Sequence, residues 1–476
     1  MTKINIIGGG LAGCEAAWQL AKRGYEVEIF EMRNDKVRTF AHQTSDLAEL
    51  VCSNSLRSDD IQTAIGILHQ EMRILDSLIM KAADNNKIPA GSALAVDRVG
   101  FSQFIKNQLI ATKKVTITRQ EITNFAFDDS QSGLWIIASG PLTSDNLAKQ
   151  IAKYSQEENL AFFDAIAPII YKDSINFDIA WKQSRYNKGE GSDYINCPLN
   201  KQQYQDFVTE LLNGKKTEFK EWEKNTPYFD GCLPVEIVAQ RGFNSLRFGN
   251  MKPVGLRNQH YKIAEDSPNF DKKLAYPFAV VQLRQDNKID TIYNMVGFQT
   301  KLIYSEQQRI FRTIPGLENA EFARLGGIHR NSFINSPKLL NKSLSFKNFD
   351  NIKFAGQITG VEGYVESASM GLLSGIFMAK YIEKSNIEIP NNKTAIGSLL
   401  NHITEGHCGN NFQPMNINFG LFASFDDEIL LYLSNDANNE KKIDNKFNKQ
   451  IAKSDRRNAY GTRAIQEIEK WKNNNL

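Results

Sequence analysis

The apolar positions of this chain begin with INII at 4–7, where Ile4, Ile6 and Ile7 make a short buried strand. Glycines interrupt the run, and Glu15 to Arg23 then carry helical spacing, with Gly24 placed to cap the helix. A second apolar run, Tyr25 to Phe30, reads as a strand ending at Glu31. Much later, LWIIASGPLTS (134–144) predicts another buried strand running into Ser139 and Gly140. NIKFAGQITGVEGYVESASMGLLSGIFMAKYI (351–382) predicts a strand, a glycine-rich loop and a helix with small residues on one face. The intervening residues change character. They hold aromatics, short alternating runs such as AVVQLRQ and TIYNMVGF, and helical pieces such as QQYQDFVTELL. No internal repeat is present.

The turn after the first strand, Gly8-Gly9-Gly10-Leu11-Ala12-Gly13, has GxGxxG spacing. Gly8 permits the tight turn, Gly10 lets a pyrophosphate approach the backbone, and Gly13 lets the helix pack on the strand. Phosphates then meet a helix N-terminus, where amides and dipole both favour negative charge. Glu31 lies where a carboxylate can accept hydrogen bonds from ribose hydroxyls. The distant strand-loop-helix after residue 350 is how two-part flavoprotein domains close, so FAD is favoured over a lone nicotinamide cofactor. Its loop adds Gly356 and Gln357 as cofactor contacts.

The expected fold is therefore α/β: a discontinuous Rossmann-like FAD-binding domain, an inserted α+β domain and a helical C-terminal segment. The FAD domain would occupy 1–150 and 320–385, the insert 151–319, and the C-terminal segment with its basic tail 386–476.

Composition narrows the function classes. At 476 residues the chain exceeds one simple core, and about two or three domains are expected. Hydrophobic content of 41% and charged content of 23% are ordinary for a globular protein. Lys+Arg 57 against Asp+Glu 54 gives +3, which implies no polyanionic partner by itself. The basic residues are uneven, however: 441–476 is a strongly basic tail, suited to nucleic-acid contact or to a solvated helix face. Five scattered cysteines without CxxC spacing argue against a disulfide framework and a zinc site. No apolar stretch reaches the roughly 18 residues of a membrane span, and the glycine-rich start is no signal peptide. The expected compartment is the cytoplasm.

Within the insert, AQRGFNSLRFGNMKPVGLRNQHYK (239–262) holds Arg241, Arg247, Lys252, Arg257 and Lys262 without an acid, interleaved with Phe243, Phe248, His260 and Tyr261. Such a stripe suits phosphates with stacked bases, or a polyglutamylated ligand. The plainer alternative is a β-hairpin with a solvated outer face.

Taken together, IGGGLAGCEAAWQLAKRG, HQTSDLAELVCSNSLRSD, IPAGSALAVDRVGFS, FDGCLPVE, LRFGNMKPVGL, AVVQLRQDN, IPGLENAEFARLGGIHRN and FAGQITGVEGYVESA resemble the bacterial folate- and FAD-dependent tRNA (uracil-5-)-methyltransferase family along nearly the whole chain. Asn250, Ser139 and Ile328 depart from that pattern, and none is a proposed catalytic group. The chemistry suits the residues. A thiolate adding to carbon-6 of uracil makes an enolate that attacks through carbon-5, and cysteine is ionised and nucleophilic enough to do so. 5,10-Methylenetetrahydrofolate carries its carbon one hydride short of methyl. A reduced flavin would supply the electron pair, and NADH or NADPH would recharge it.

The resemblance implies that Cys232 of DGCLPVE is the uracil nucleophile and that Cys52 of VCSNS takes the carbon-5 proton or guards the flavin. Tyr364 would stack near the isoalloxazine, and His329 and Arg330 would contact substrate. Cys14, Cys197 and Cys408 read as buried thiols. The implied partners are tRNA, or ribosomal RNA within the same chemistry, and folate; no membrane and no obligate protein partner are expected. A flavin-dependent wobble-uridine modification protein shares the nucleotide fold, but CLPVE and MKPVGL speak against it. A flavin-bearing RNA-binding protein without turnover would not need both cysteines.

Overall fold

The computed structural model describes residues 3–37, 39, 41–123, 125, 133–155, 160–217, 233–347, 349–386, 388–405, 412–424 and 453–476. Its first sheet is built around the strand Ile4–Ile7, flanked in parallel by Val27–Phe30 and Leu134–Ile137. Val115–Thr118 extends it on one side and Phe349–Phe354 on the other, both parallel. The short Ser345–Phe346 closes that edge antiparallel. Both faces of such a sheet must be covered, which explains the apolar run LWII and the buried Ile4, Ile6 and Ile7.

The first helix, Leu11–Ala21, lies directly against the helix Tyr364–Ile382. Small residues permit this approach. A Cβ added at Gly371 would lie 2.2 Å from the Ala12 carbonyl oxygen, and one at Gly375 2.8 Å from that of Ala16. Residues hundreds of positions apart thus form one core, and the 356–364 loop sits over the first turn. Glu15, the one acid in the opening apolar run, is fully buried in that core. It accepts hydrogen bonds from Ser77, Leu78 and Ile79 at the start of the helix Leu78–Asn85.

The second sheet is antiparallel, in the order Trp181–Lys182, Tyr194–Leu199, Ala279–Gln285, Ile292–Met295, Ile169–Tyr171, Phe322–Arg324. With the helix Lys201–Asn213 it encloses a separate core that includes Tyr204, Phe207, Phe298 and Phe311. The chain passes from the first sheet to the second along Leu160–Ile166 and returns along Gly327–Phe333. These two crossings are paired antiparallel from Phe333↔Leu160 to Gly327↔Ile166. A small third sheet, Ser55–Ser58, Ala93–Val96 and Lys87–Ile88, lies against the helices Ala64–Ile74 and Leu78–Asn85.

The C-terminal helix Lys453–Asn475 packs on the helix Ala64–Ile74 through Ala464, Ile468 and Trp471 on its buried face. Arg463 of the basic tail is itself buried and donates to the carbonyls of Ala423 and Ser424. Part of the tail's charge is therefore structural. Among the described residues no helix is long and apolar enough to cross a membrane.

Candidate cofactor cleft and thiol site

The glycine turn behaves as its spacing predicts. Gly8 has φ +107°, and a Cβ there would lie 2.4 Å from the Ala138 carbonyl oxygen. A Cβ on Gly13 would lie 1.9 Å from the Gly8 oxygen, so that glycine is required for helix and strand to meet. Gly10, the N-cap of Leu11–Ala21, differs: nothing lies within 4 Å of where its Cβ would be. It borders an open cleft. The cleft is lined from the first part of the chain by Gly8, Gly10, Leu11, Ala12 and Glu31, and from the second by Gly356, Gln357 and Tyr364. An open cradle at a helix N-terminus fits a pyrophosphate. Those residues fit a dinucleotide such as FAD.

Glu31 is more engaged than a bare ribose acceptor. Its carboxylate accepts from the Gly9 N–H at 2.9 Å and from Arg33, both from the backbone N–H at 2.9 Å and from Nε at 3.0 Å. Burial opposes its ionisation, but Arg33 and these hydrogen bonds hold its pKa below the usual carboxylate value. Arg33 also reaches Glu49, which in turn accepts from Gln43 and Thr44. It was not singled out in the sequence because its role depends on a carboxylate two positions away.

A second cleft shares Val51, Pro141, Gln357 and Tyr364 with the first, and Cys52 lines it. Tyr364 holds the cysteine segment. Its hydroxyl accepts from the backbone N–H of Cys52 at 2.7 Å and of Ser53 at 3.2 Å, and donates to the Cys52 Sγ at 3.3 Å. Burial, then the neighbouring Cys52, raise the Tyr364 phenol well above its ordinary value, keeping it a neutral donor. Three arginines hold the same segment. Arg98, itself paired to Asp286, donates to the Leu50 carbonyl, Arg324 to that of Val51, and Arg284 to Ser53 Oγ at 2.7 Å. Arg57 (φ +69°) ion-pairs with buried Glu366, two residues after Tyr364. These arginines lie in the VDRVGFS, AVVQLRQDN, AEFARLGG and NSLRSD segments, but their convergence is long-range and had no local signal.

Cys232 lies outside the described residues, as does Cys408. The residues after Cys232 are placed: Pro234 precedes the helix Val235–Gln240, and Glu236 is fully buried with Thr300 donating to it. Burial raises the Glu236 carboxyl. Cys14 and Cys197 are buried and burial raises both thiols, as expected of inert cysteines. His329 and Arg330 belong to the returning strand Gly327–Phe333, and their side chains lie outside the described residues.

The 239–262 stripe is not a hairpin. It starts at the end of the helix Val235–Gln240 and continues through the helix Ser245–Phe248 into turns, because Gly242, Gly249 and Gly255 break any continuous strand. Arg247 lies over the Phe278 ring at 4.4 Å and donates to the Phe278 carbonyl, while Phe248 is 71% exposed. Arg247 and Arg257 line one groove with Lys201, Lys272 and Lys273. Arg241 and Lys252 are exposed outside it.

A dinucleotide cradle made from two distant parts of the chain, beside an antiparallel insert, defines a two-part nucleotide-binding α/β protein. The family model for glucose inhibited division protein A matches residues 3–386. The fold agrees with Aquifex aeolicus GidA, at a TM-score of 0.63 and 14% identity over 99% of this chain and 89% of that one. Closer in sequence is a Novosphingobium aromaticivorans protein named methylenetetrahydrofolate--tRNA-(uracil-5-)-methyltransferase TrmFO, 52% identical over 98% of each chain. A Bartonella henselae protein of the same name is 58% identical over 88% of this chain and 89% of its own. The chain belongs to the glucose inhibited division protein A family and, within it, to the TrmFO group.

Proposed function

We propose that this protein methylates carbon-5 of a uridine in tRNA, the T-loop uridine at position 54, taking the carbon from 5,10-methylenetetrahydrofolate. The observation that carries this reading is the wall shared by the two clefts. Val51, Pro141, Gln357 and Tyr364 line both, so a cofactor in one and a base in the other would meet beside Cys52. The names of the relatives point the same way.

Gly8 to Gly13, Glu31, Gly356 and Gln357 would hold FAD, with the amides at the start of Leu11–Ala21 directed at its pyrophosphate. The flavin, when bound and reduced by NADH or NADPH, would supply the electron pair that takes the donated carbon to the methyl level. Cys232 adds to carbon-6 of uracil and so makes carbon-5 nucleophilic. Cys52 takes the carbon-5 proton, after which the Cys232 thiolate leaves. Tyr364 and the arginines around Leu50–Ser53 fix that thiol in place. Arg241, Arg247 and Lys252, with His329 and Arg330, contact the RNA.

The cofactor domain would comprise 1–150 and 320–385, with 151–319 presenting the RNA and 386–476 bracing the first core. Ile151 packs in the first core and Phe322 pairs in the second sheet, which supports joints a few residues later than those numbers. We place the protein in the cytoplasm with its RNA substrate and without an obligate protein partner.

The test is to supply purified protein with methylenetetrahydrofolate, NAD(P)H and unmodified tRNA or ribosomal RNA, and to map new 5-methyluridine. Product at the tRNA T-loop is expected, and none from either RNA would sink the reading. Cys232→Ala should make no product and should not trap 5-fluorouracil-containing RNA covalently. Cys52→Ala should lose product but still trap, and the opposite pattern would reverse the two roles.

A further inference from the structure

Asn331 is fully buried on the returning strand Gly327–Phe333, and neither its carboxamide nitrogen nor its oxygen has a hydrogen-bond partner among the described residues. Asn294, 3% exposed on the strand Ile292–Met295, leaves its amide nitrogen in the same condition. Both side chains line the cleft that Cys52 and Tyr364 line. An amide buried this way gives up its hydrogen bonds to water and regains nothing, so native proteins rarely leave one without a reason.

Several neighbouring polar groups of the cleft are already engaged. Arg284 binds Ser53 and Asn54, Gln357 donates to Glu362 at 2.6 Å, and Tyr364 is committed to Cys52. The two asparagines, from strands of different sheets, are buried groups left over for a ligand. A carboxamide presents a donor and an acceptor side by side. Its complement is a ring edge with a carbonyl next to an N–H, as in a lactam. A phosphate or carboxylate ligand would leave the carboxamide oxygen unpaired.

We propose that Asn331, assisted by Asn294, recognises the lactam edge of the heterocycle that enters this cleft. Uracil and the pterin of a folate both present that edge, an N3–H beside a C4 carbonyl. The assignment rests on the reading under Proposed function and adds to it the groups that select the ring.

The test uses full-length Asn331→Ala, Asn331→Asp and Asn294→Ala proteins, checked for flavin content and melting temperature. Tetrahydrofolate binding is measured by equilibrium dialysis, and 5-fluorouracil-containing tRNA by affinity and covalent trapping. Asn331→Ala should weaken one of the two probes by about tenfold or more at unchanged flavin content. Asn331→Asp should do the same, since it keeps the size but replaces the donor by an acceptor. A loss confined to tetrahydrofolate assigns the pterin, and a loss confined to RNA assigns uracil. If the Asn331 variants do not fold, Asn294→Ala carries the same comparison. Affinities for both probes within about twofold of wild type would overturn the assignment alone. A wild type that binds neither probe would overturn it together with the functional reading.

Discussion

The hydroxyl of Tyr364 and the backbone N–H of Cys52 lie 2.7 Å apart across 312 positions of sequence. That one phenol fills two roles, accepting from consecutive amides and donating to the thiol beside them. The candidate thiol is thereby fixed to the first turn of the helix that closes the cofactor cleft.

Removing the hydroxyl should release the segment without emptying the cleft. Tyr364→Phe leaves the amides of Cys52 and Ser53 without their acceptor, at a cost of about 1–3 kcal/mol in stability. Methylation should fall by about tenfold or more, while flavin content holds. Thermal melts, flavin absorbance and single-turnover assays on one preparation check both parts. Unchanged turnover would mean that the contact serves folding alone.

Two glycines of one turn should fail in different ways. Gly10→Val adds a side chain into open space on the cradle, so the protein should fold and lose its flavin. Gly13→Ala forces a Cβ to within 1.9 Å of the Gly8 oxygen and should destabilise the whole first sheet. Circular dichroism separates the cases. A yellow, fully loaded Gly10→Val protein would remove the pyrophosphate from this turn.

RNA affinity should fall steeply with salt, since each neutralised phosphate releases counterions. Arg241 and Lys252 are the cleanest probes because they are exposed, whereas Arg247 also stacks on Phe278. Neutralising both should reduce the slope of log K against log salt by about two. An identical slope would place the RNA on another surface.

Glu71 gives a pH signature unrelated to catalysis. Its buried carboxyl accepts from the amides of Ala395 and Ile396 at the start of the helix Ala395–Thr404, yet burial dominates and raises its pKa from 4.5 to about 8. The folded state therefore holds this proton more tightly than the unfolded chain does. Its contribution to stability is fully present below pH 4.5 and is lost as pH rises towards about 8. Melting temperatures of Glu71→Gln should lose that component of the fall between those values. Parallel curves for variant and wild type would refute the assignment.

The nucleotide-binding half was readable because its signals are local. Glycines at fixed spacing, two apolar runs and a distant strand-loop-helix each act through near neighbours. The helix starts at Leu11, not Glu15, because Gly10 caps it directly after the turn. The second strand starts at Val27, not Tyr25. What surrounds the thiol was not readable. Arg98, Arg284 and Arg324 come from three separate segments and act on backbone carbonyls and a serine hydroxyl that no spacing rule connects to them. Of the two expectations for the basic stripe, the hairpin alternative fails because its glycines break the chain into short helices and turns.

The paired crossings have a further consequence. Ile166 and Gly327 face each other in register, so the chain leaves for the antiparallel sheet and comes back within one rung of a ladder. A segment whose ends are already held together adds little loop-closure entropy to its host, whatever its length. It can be lengthened, exchanged or spliced out with a short turn across that rung, leaving the nucleotide cradle's own strands unbroken. The antiparallel sheet is in that sense a cassette on a fixed socket, joined to the nucleotide-binding part of the chain at one rung.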